Sequence, residues 1–397
     1  MADEIDQLLS RAVEKIYPNK EELEKVLRSG KKLRLYQGFD PSMSSLHLGN
    51  FVGLMKLRQF QKLGHEVIFL VGDFTGMIGD PSGKSETRKP LTREQVLANA
   101  KDYKNQAEKV ISFSGDNPAK IKFNSEWLDK IKFSDLMKLA SLTTYAQVIE
   151  RDMFQKRMNE GKDLFLNELL YPLMQGYDSV AMDVDLEIGG SDQMFNMMMG
   201  RTLMKKISGK EKFVLTTKLL VDAEGNKVGK TTGNALFLDS TPEMFYGGIM
   251  SFPDEVIFLS FELLTEVPLD GIEEKVKQNP MIEKKRLAFE IVKLLWGEAA
   301  AVKSQEGFEK VYQNKEQPKE IPFKAINLDG QKSIIASKFV YDTGLAGSVS
   351  EAKRLIKQRA IDIDGKTIDN PNEEITPKDG TIIKRGKNTF IKIRVNP

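Results

Sequence analysis

Five short stretches hold residues whose types and spacing suit phosphate and small-molecule chemistry. His47-Leu48-Gly49-Asn50 falls where a helix begins. A helix start offers unpaired backbone N–H groups and the positive end of the dipole to a phosphate. His47 can donate to a phosphate oxygen as charge builds there, and Gly49 leaves room for a base or ribose. A lone HxG is equally an ordinary polar helix start. Gly72 to Lys84 is a glycine-dense loop behind a strand, the place where open α/β sheets bind ligands. It is not a P-loop, because three residues rather than four separate Gly79 from Gly83. Lys84 and Arg88 could reach phosphates from a mobile arm, or simply form an exposed basic loop. Tyr171, Gln175 and Asp178 stand at i, i+4 and i+7, on one helix face. They could grip an amino group or a phenol, or be a solvated face, with Leu170, Leu173, Met174 and Tyr177 on the core side. Gly189-Gly190-Ser191-Asp192-Gln193 couples a strand end to a helix start, where Asp192 can take a ribose hydroxyl. Lys227-Val228-Gly229-Lys230-Thr231 sets two lysines around a glycine in a loop, as a phosphate clamp would.

No nucleophile–base pair stands out among these residues. The chain has no cysteine and only two histidines, His47 and His65, so disulfides and thiolate metal sites are excluded and a multi-histidine centre nearly so. Mg²⁺ carried in on phosphates stays open. The net charge is only +2 with 29% charged residues, so any nucleic-acid contact must come from a local patch. Residues 333–397 supply one: 12 Lys and Arg stand there against 8 Asp and Glu. The N-terminus is acidic and has no signal-peptide core. The longest apolar run, Val67 to Val71, is far short of the roughly 20 residues that span a bilayer. A cytoplasmic enzyme with no membrane contact is the expectation.

The elements that must position these stretches alternate. Leu33 to Phe39 reads as a strand ending in the turn Asp40-Pro41-Ser42. Leu48 to Leu63 has helical apolar spacing, and Glu66 to Gly72 reads as a buried parallel strand. Thr92-Arg93-Glu94-Gln95 is a capping box opening one long helix to about Ile111. A helix over 166–177, a strand over 184–188, a helix over 193–206 and a strand over 213–221 follow. Such strand–helix–strand units build a doubly wound, Rossmann-like parallel sheet. From about Ser240 to Asn314 the pattern is helical, and Lys315 to Pro322 looks like a linker. The expected domains are a catalytic one over 1–232, a helical one over 233–322 and a small α+β one over 333–397.

Together and in this order the pieces resemble a class I aminoacyl-tRNA synthetase of the tyrosyl type. Tyr36 to Pro41 followed by His47 to Asn50 is similar to the first signature, usually written HIGH, with its tyrosyl-type lead-in. Thr75 to Lys84 is similar to that family's second loop, Lys227 to Thr231 stands where KMSKS stands, and Ser348 to Gly365 resembles an RNA-binding module of the ribosomal-protein S-four type. Asn50 replaces the last histidine of the first signature, Gly229 and Thr231 replace the serines of KMSKS, and Met194-Phe195 replaces a Trp-Gly pair of one bacterial branch, which suggests the other branch.

The resemblance implies that Tyr36 and Asp178 hydrogen-bond the phenol of tyrosine. Tyr171, Gln175 and Asp80 would hold its α-amino group, and Gln193 its α-carbon end. Asp40, His47, Gly49, Asn50, Gly190, Asp192 and Lys230 would line the ATP site. Lys84, Arg88, Lys227, Lys230 and Thr231, with His47 and Asn50, would serve catalysis at the phosphates. ATP is the co-substrate with its Mg²⁺, and no protein-bound metal is expected. Lys353, Arg354, Lys357 and Arg359 would contact the tRNA for tyrosine, and a homodimer is implied. The rival expectations are a tryptophanyl-type synthetase, against which Asp178 with Tyr36 argues, a small-molecule adenylyltransferase and a non-catalytic RNA-binding descendant.

Overall fold

The computed structural model describes residues 3–82, 90–228, 236–313, 323–327, 333–386 and 389–396. The chain divides into two compact units, residues 1–305 and 306–397.

The first unit is built on a six-stranded sheet. Its strands are β1 (Val13–Tyr17), β2 (Arg34–Phe39), β3 (Glu66–Val71), β4 (Lys120–Phe123), β5 (Leu186–Gly190) and β6 (Phe213–Thr217). The spatial order is β1-β6-β5-β2-β3-β4. All neighbours are parallel except the edge strand β1, which runs antiparallel to β6. The chain grows from β2 to β3 and β4 on one side, then from β5 to β6 on the other. Its direction therefore reverses between β2 and β5, and an open α/β sheet binds ligands at the carboxyl end of that crevice.

The apolar run of β3 is buried from Val67 to Val71, as a strand covered on both faces must be. The helix Leu48–Lys62 buries Leu48, Phe51, Leu54, Leu57 and Phe60 against the sheet. Lys56 is buried with them, and its ammonium donates to the carbonyls of Leu8 and Arg11. The capping box at Thr92 is present, but the single helix expected to run to about Ile111 is two helices, Arg93–Ala100 and Tyr103–Glu108. Tertiary bonds break it: Tyr103 donates to the Met43 carbonyl, and Gln106 bonds both Leu46 N–H and the Ser44 carbonyl. The later strands begin and end within a few residues of the expected limits, and the helix Leu166–Met182 runs one turn beyond Tyr177.

The helical run Pro242–Met250, Ile257–Leu264 and Pro280–Trp296 packs around buried Phe245, Tyr246, Phe261, Leu287 and Ile291. Arg11 ties it to the N-terminal segment by donating to the carbonyls of Phe261, Glu262 and Val267 at a helix end.

The second unit has a five-stranded sheet in the order Lys366–Ile368, Ile361–Ile363, Ile382–Arg385, Thr389–Asn396, Phe323–Asn327. The first strand in sequence, Phe323–Asn327, pairs parallel with Thr389–Asn396, so this sheet draws on residues ahead of 333. Two helices, Ala336–Asp342 and Val349–Lys357, close a core of Phe339, Val340, Ile356, Ile361, Ile383 and Ile393.

Candidate active site

Asp40 lies one residue beyond β2, at the mouth of the crevice. Its carboxylate accepts from Tyr171 Oη at 2.8 Å and Thr75 Oγ1 at 2.7 Å. A Cβ at Gly72 would collide with that carboxylate, so the glycine there is a steric requirement. Across the crevice, Asp80 accepts from Gln193 Nε2 at 2.7 Å, from the Ser82 N–H at 2.9 Å and from Asn196 Nδ2 at 3.4 Å. The structure thus joins Tyr171 to Asp40 and Gln193 to Asp80. Gln175, expected beside Tyr171 and Asp80, instead donates to Glu187 at 3.2 Å.

The polar face of the helix Leu166–Met182 is the buried one. Tyr171 and Asp178 are buried and Leu173 with them, while Leu170, Met174 and Tyr177 are only half-buried. The expectation of a purely apolar core side is corrected here: the helix packs against both the sheet and the helix Met194–Ser208, so polar groups face inward and find partners.

Tyr36 and Asp178 lie deep, 1% and 2% exposed. They do not bond each other. Tyr36 Oη bonds Ser179 Oγ at 2.8 Å, the residue next to Asp178. Asp178 accepts from Trp127 Nε1 at 2.8 Å and from Asn124 Nδ2 at 3.4 Å. Burial pushes the Asp178 carboxyl well above the ordinary carboxylate range, and the Trp127 and Asn124 donors pull against that. Burial also drives the Tyr36 and Tyr171 phenols far up, with the nearby carboxylates adding to it, so both keep their protons. Behind Tyr36 lies a buried ion pair, Lys212 with Glu187, bonded also to Ser179. Burial pulls Lys212 down while the Glu187 carboxylate opposes it. Sequence reasoning missed Thr75 as a partner of Asp40, and missed Asn124, Trp127, Ser179, Glu187, Asn196 and Lys212.

His47 and Asn50 form a reciprocal cap. Asn50 Oδ1 accepts from the His47 N–H at 2.9 Å, and His47 Nδ1 accepts from the Asn50 N–H at 3.3 Å. A ring nitrogen that accepts carries no proton, so the neutral imidazole bears its hydrogen on Nε2. Gly49 leaves space for that ring: a Cβ there would stand 2.9 Å from His47 Cε1. The Leu48 N–H donates to the Leu236 carbonyl and the Leu238 N–H to the Leu46 carbonyl, which places residues 236–238 beside His47.

A Cβ at Gly190 would lie 2.7 Å from Asp192 Oδ1. Asp192 pairs with Lys227 at 2.6 Å. Lys84, Arg88, Lys230 and Thr231 lie outside the described residues. Among the described residues no group of three or more His, Asp or Glu could hold a metal ion, and no helix is long and apolar enough to cross a membrane. In the second unit Lys353, Arg354 and Lys357 are exposed along the helix Val349–Lys357, whose other side buries Ala352, Leu355 and Ile356. Arg359 follows in a left-handed conformation and pairs with Asp369 at 2.9 Å.

A doubly wound sheet with this polar crevice defines a class. The chain belongs to the tRNA synthetases of class I, W and Y type, whose family model matches residues 28–313, and an S4 domain model matches residues 337–380. The tyrosine–tRNA ligase of Thermotoga maritima is 42% identical over 98% of this chain and 96% of its own length. That of Carboxydothermus hydrogenoformans is 43% identical over 98% and 97%. The crystal structure of a C-terminally truncated mitochondrial tyrosyl-tRNA synthetase from Aspergillus nidulans shares the fold with a TM-score of 0.68 at 22% identity, over 79% of this chain and 95% of that one. Within its class the chain is thus a member of the tyrosine–tRNA ligases, enzymes that charge tRNA with tyrosine.

Proposed function

We propose that the crevice between β2 and β5 binds tyrosine with its phenol at Tyr36 and Asp178 and its ammonium toward Tyr171, Asp80 and Gln193. Gln175 acts from farther back, through Glu187. ATP lies over Asp40, Gly49, Gly190 and Asp192, bringing its Mg²⁺, with its phosphates toward His47, Lys227 and the loops carrying Lys84, Arg88, Lys230 and Thr231. The carboxylate of tyrosine then displaces pyrophosphate from the α-phosphorus in line. A free α-carboxyl titrates at roughly pH 3.3–3.7 and is already ionised at neutral pH. No general base is needed, and catalysis is positioning plus stabilisation of phosphate charge. His47 Nε2–H is the ring donor that would serve a phosphate oxygen. The ribose hydroxyl of the tRNA 3′-adenosine attacks the adenylate next.

One observation supports the choice of cargo: two buried polar groups, Tyr36 and Asp178, lie near one another, each oriented by other residues. Phenylalanine would deny both the additional partner that a phenol hydroxyl supplies. Tyrosyl enzymes are themselves the established case of this effect, known to reject phenylalanine by about 10⁵ without editing. Asp178→Ala is expected to abolish tyrosine-dependent ATP–pyrophosphate exchange; an unchanged rate would overturn the assignment. Lys230→Ala is expected to slow activation while tyrosine affinity barely moves.

Lys353, Arg354, Lys357 and Arg359 are proposed to grip the tRNA, with catalysis over 1–232 and the helical stretch 233–322 beside it. We further propose a homodimer working in the cytoplasm. The exposed Phe133, Met137, Tyr145, Phe165 and Leu166 support a protein-covered surface.

A further inference from the structure

A salt bridge sealed from water is a costly thing to keep, because desolvation offsets most of its attraction. Lys212 and Glu187 are 0% and 2% exposed. They sit under the phenol end of the crevice, and the register of the sheet places Tyr36 directly opposite Glu187. The helix Met194–Ser208 makes room for the pair: a Cβ at Gly200 would stand 2.5 Å from Lys212 Nζ and 2.8 Å from Ser179 Oγ.

We propose that Lys212, Glu187 and Ser179 are positioning residues that set the direction of the Tyr36 hydroxyl proton, and so fix how the substrate phenol is read. The proposal rests on the reading of Tyr36 as a phenol contact.

The direction follows from donor chemistry. An ammonium only donates. Lys212 therefore donates to Ser179 Oγ, at 2.5 Å, and to Glu187. Ser179 has one proton left to place. Its distance to Tyr36 Oη is 2.8 Å against 3.3 Å to Glu187 Oε2, so the shorter contact, to the phenol oxygen, is the one this hydroxyl favours once the ammonium has taken up the carboxylate. The serine proton goes to Tyr36. Tyr36 then turns its own proton toward the substrate, donating to the phenol oxygen, and the phenol proton goes on to Asp178. Every bond in the chain Lys212, Ser179, Tyr36, phenol, Asp178 points the same way, so each polarises the next. Glu187 balances the charge and accepts from Gln175, linking the phenol end to the wall of the crevice nearer the amino group. Without this wiring Tyr36 could turn its proton onto Ser179 and meet the phenol as an acceptor, competing with Asp178 for the same hydrogen.

The experiment compares ATP–pyrophosphate exchange driven by tyrosine and by phenylalanine in full-length protein. Ser179→Ala cuts the chain while leaving the ion pair intact. The ratio of kcat/KM for tyrosine over phenylalanine is expected to fall roughly tenfold, the loss of one oriented hydrogen bond. The loss should fall on the KM for tyrosine rather than on kcat, with the thermal midpoint nearly unmoved. Glu187→Gln combined with Lys212→Gln removes both charges at similar size and is expected to do the same. In a Tyr36→Phe background neither change should lower the ratio further. A wild-type ratio in either variant, or a further loss in the Tyr36→Phe background, overturns the proposal. If Tyr36→Phe alone leaves the ratio intact, the phenol assignment itself is wrong and the network falls with it.

Discussion

Asn50 stands three residues into its helix, and its amide accepts from the His47 N–H while the His47 ring accepts from its own. The backbone N–H at position 50 thus holds the imidazole by its Nδ1 face, while the side chain that departs from the family signature holds the His47 backbone. Asn50→Ala is expected to cost about 1 kcal/mol, the usual worth of a cap, and to slow pyrophosphate exchange as the His47 backbone loses its side-chain anchor. Asn50→Gln, which can rebuild the box, should recover most of both; thermal melts beside exchange rates check this. Asp178 adds a pH dependence. It must be ionised to accept the substrate proton, and burial raises its pKa. Acceptor capacity is therefore lost as pH falls, starting above the range of an ordinary aspartate. The KM for tyrosine should rise toward acid pH, and a flat KM down to pH about 4, near the ordinary value, would contradict this role.

Among the elements, the helix Leu48–Lys62 buries a lysine in the middle of its apolar face. Burial brings Lys56 down to about 7, whereas an unfolded lysine titrates near roughly 10.4. Between those values the unfolded chain holds more protons, so this group makes stability rise as pH rises from about 7 toward 10. Lys56→Met should remove that part of the slope, while costing stability through the unsatisfied Leu8 and Arg11 carbonyls. Denaturant midpoints of both proteins at about pH 7 and pH 9, inside that window, measure the difference. The buried pair Arg157–Glu168, at 2.6 Å, joins the helix Asp152–Asn159 to the start of the helix Leu166–Met182. Arg157→Met would strand a buried carboxylate, a loss of about 3–5 kcal/mol by analogy with other broken buried pairs. A shift under about 1 kcal/mol in unfolding would show that Glu168 finds water or protonates cheaply.

At the scale of the whole molecule, the chain forms two compact units, and the proposed roles separate between them. Removing residues 333–397 should leave tyrosine-dependent exchange near normal and lower tRNA charging severely. Full charging without them would acquit the basic helix Val349–Lys357. The exposed apolar residues between 133 and 166 predict self-association. Phe133→Glu together with Met137→Glu should convert a dimer to monomers in sedimentation equilibrium, and an unchanged mass would remove that surface from consideration.

The order of motifs along the chain was enough to place the class by resemblance, although each motif alone, a glycine at a strand end or a polar residue at a helix start, has an ordinary structural reading. The strand–helix–strand alternation and the capping box at Thr92 were legible because they depend on neighbours a few residues away. The partners of Asp178 were not, since Asn124 and Trp127 come from a different strand–helix connection and meet it only when β3, β4 and the helix Leu166–Met182 pack. Nor was the split of the helix after Thr92, which rests on bonds to residues 43–46. Lys212 and Glu187 carry no signal in the sequence that sets them apart from other charged residues. Only the register of β2 against β5, and the gap left by Gly200, place them out of water beneath Tyr36.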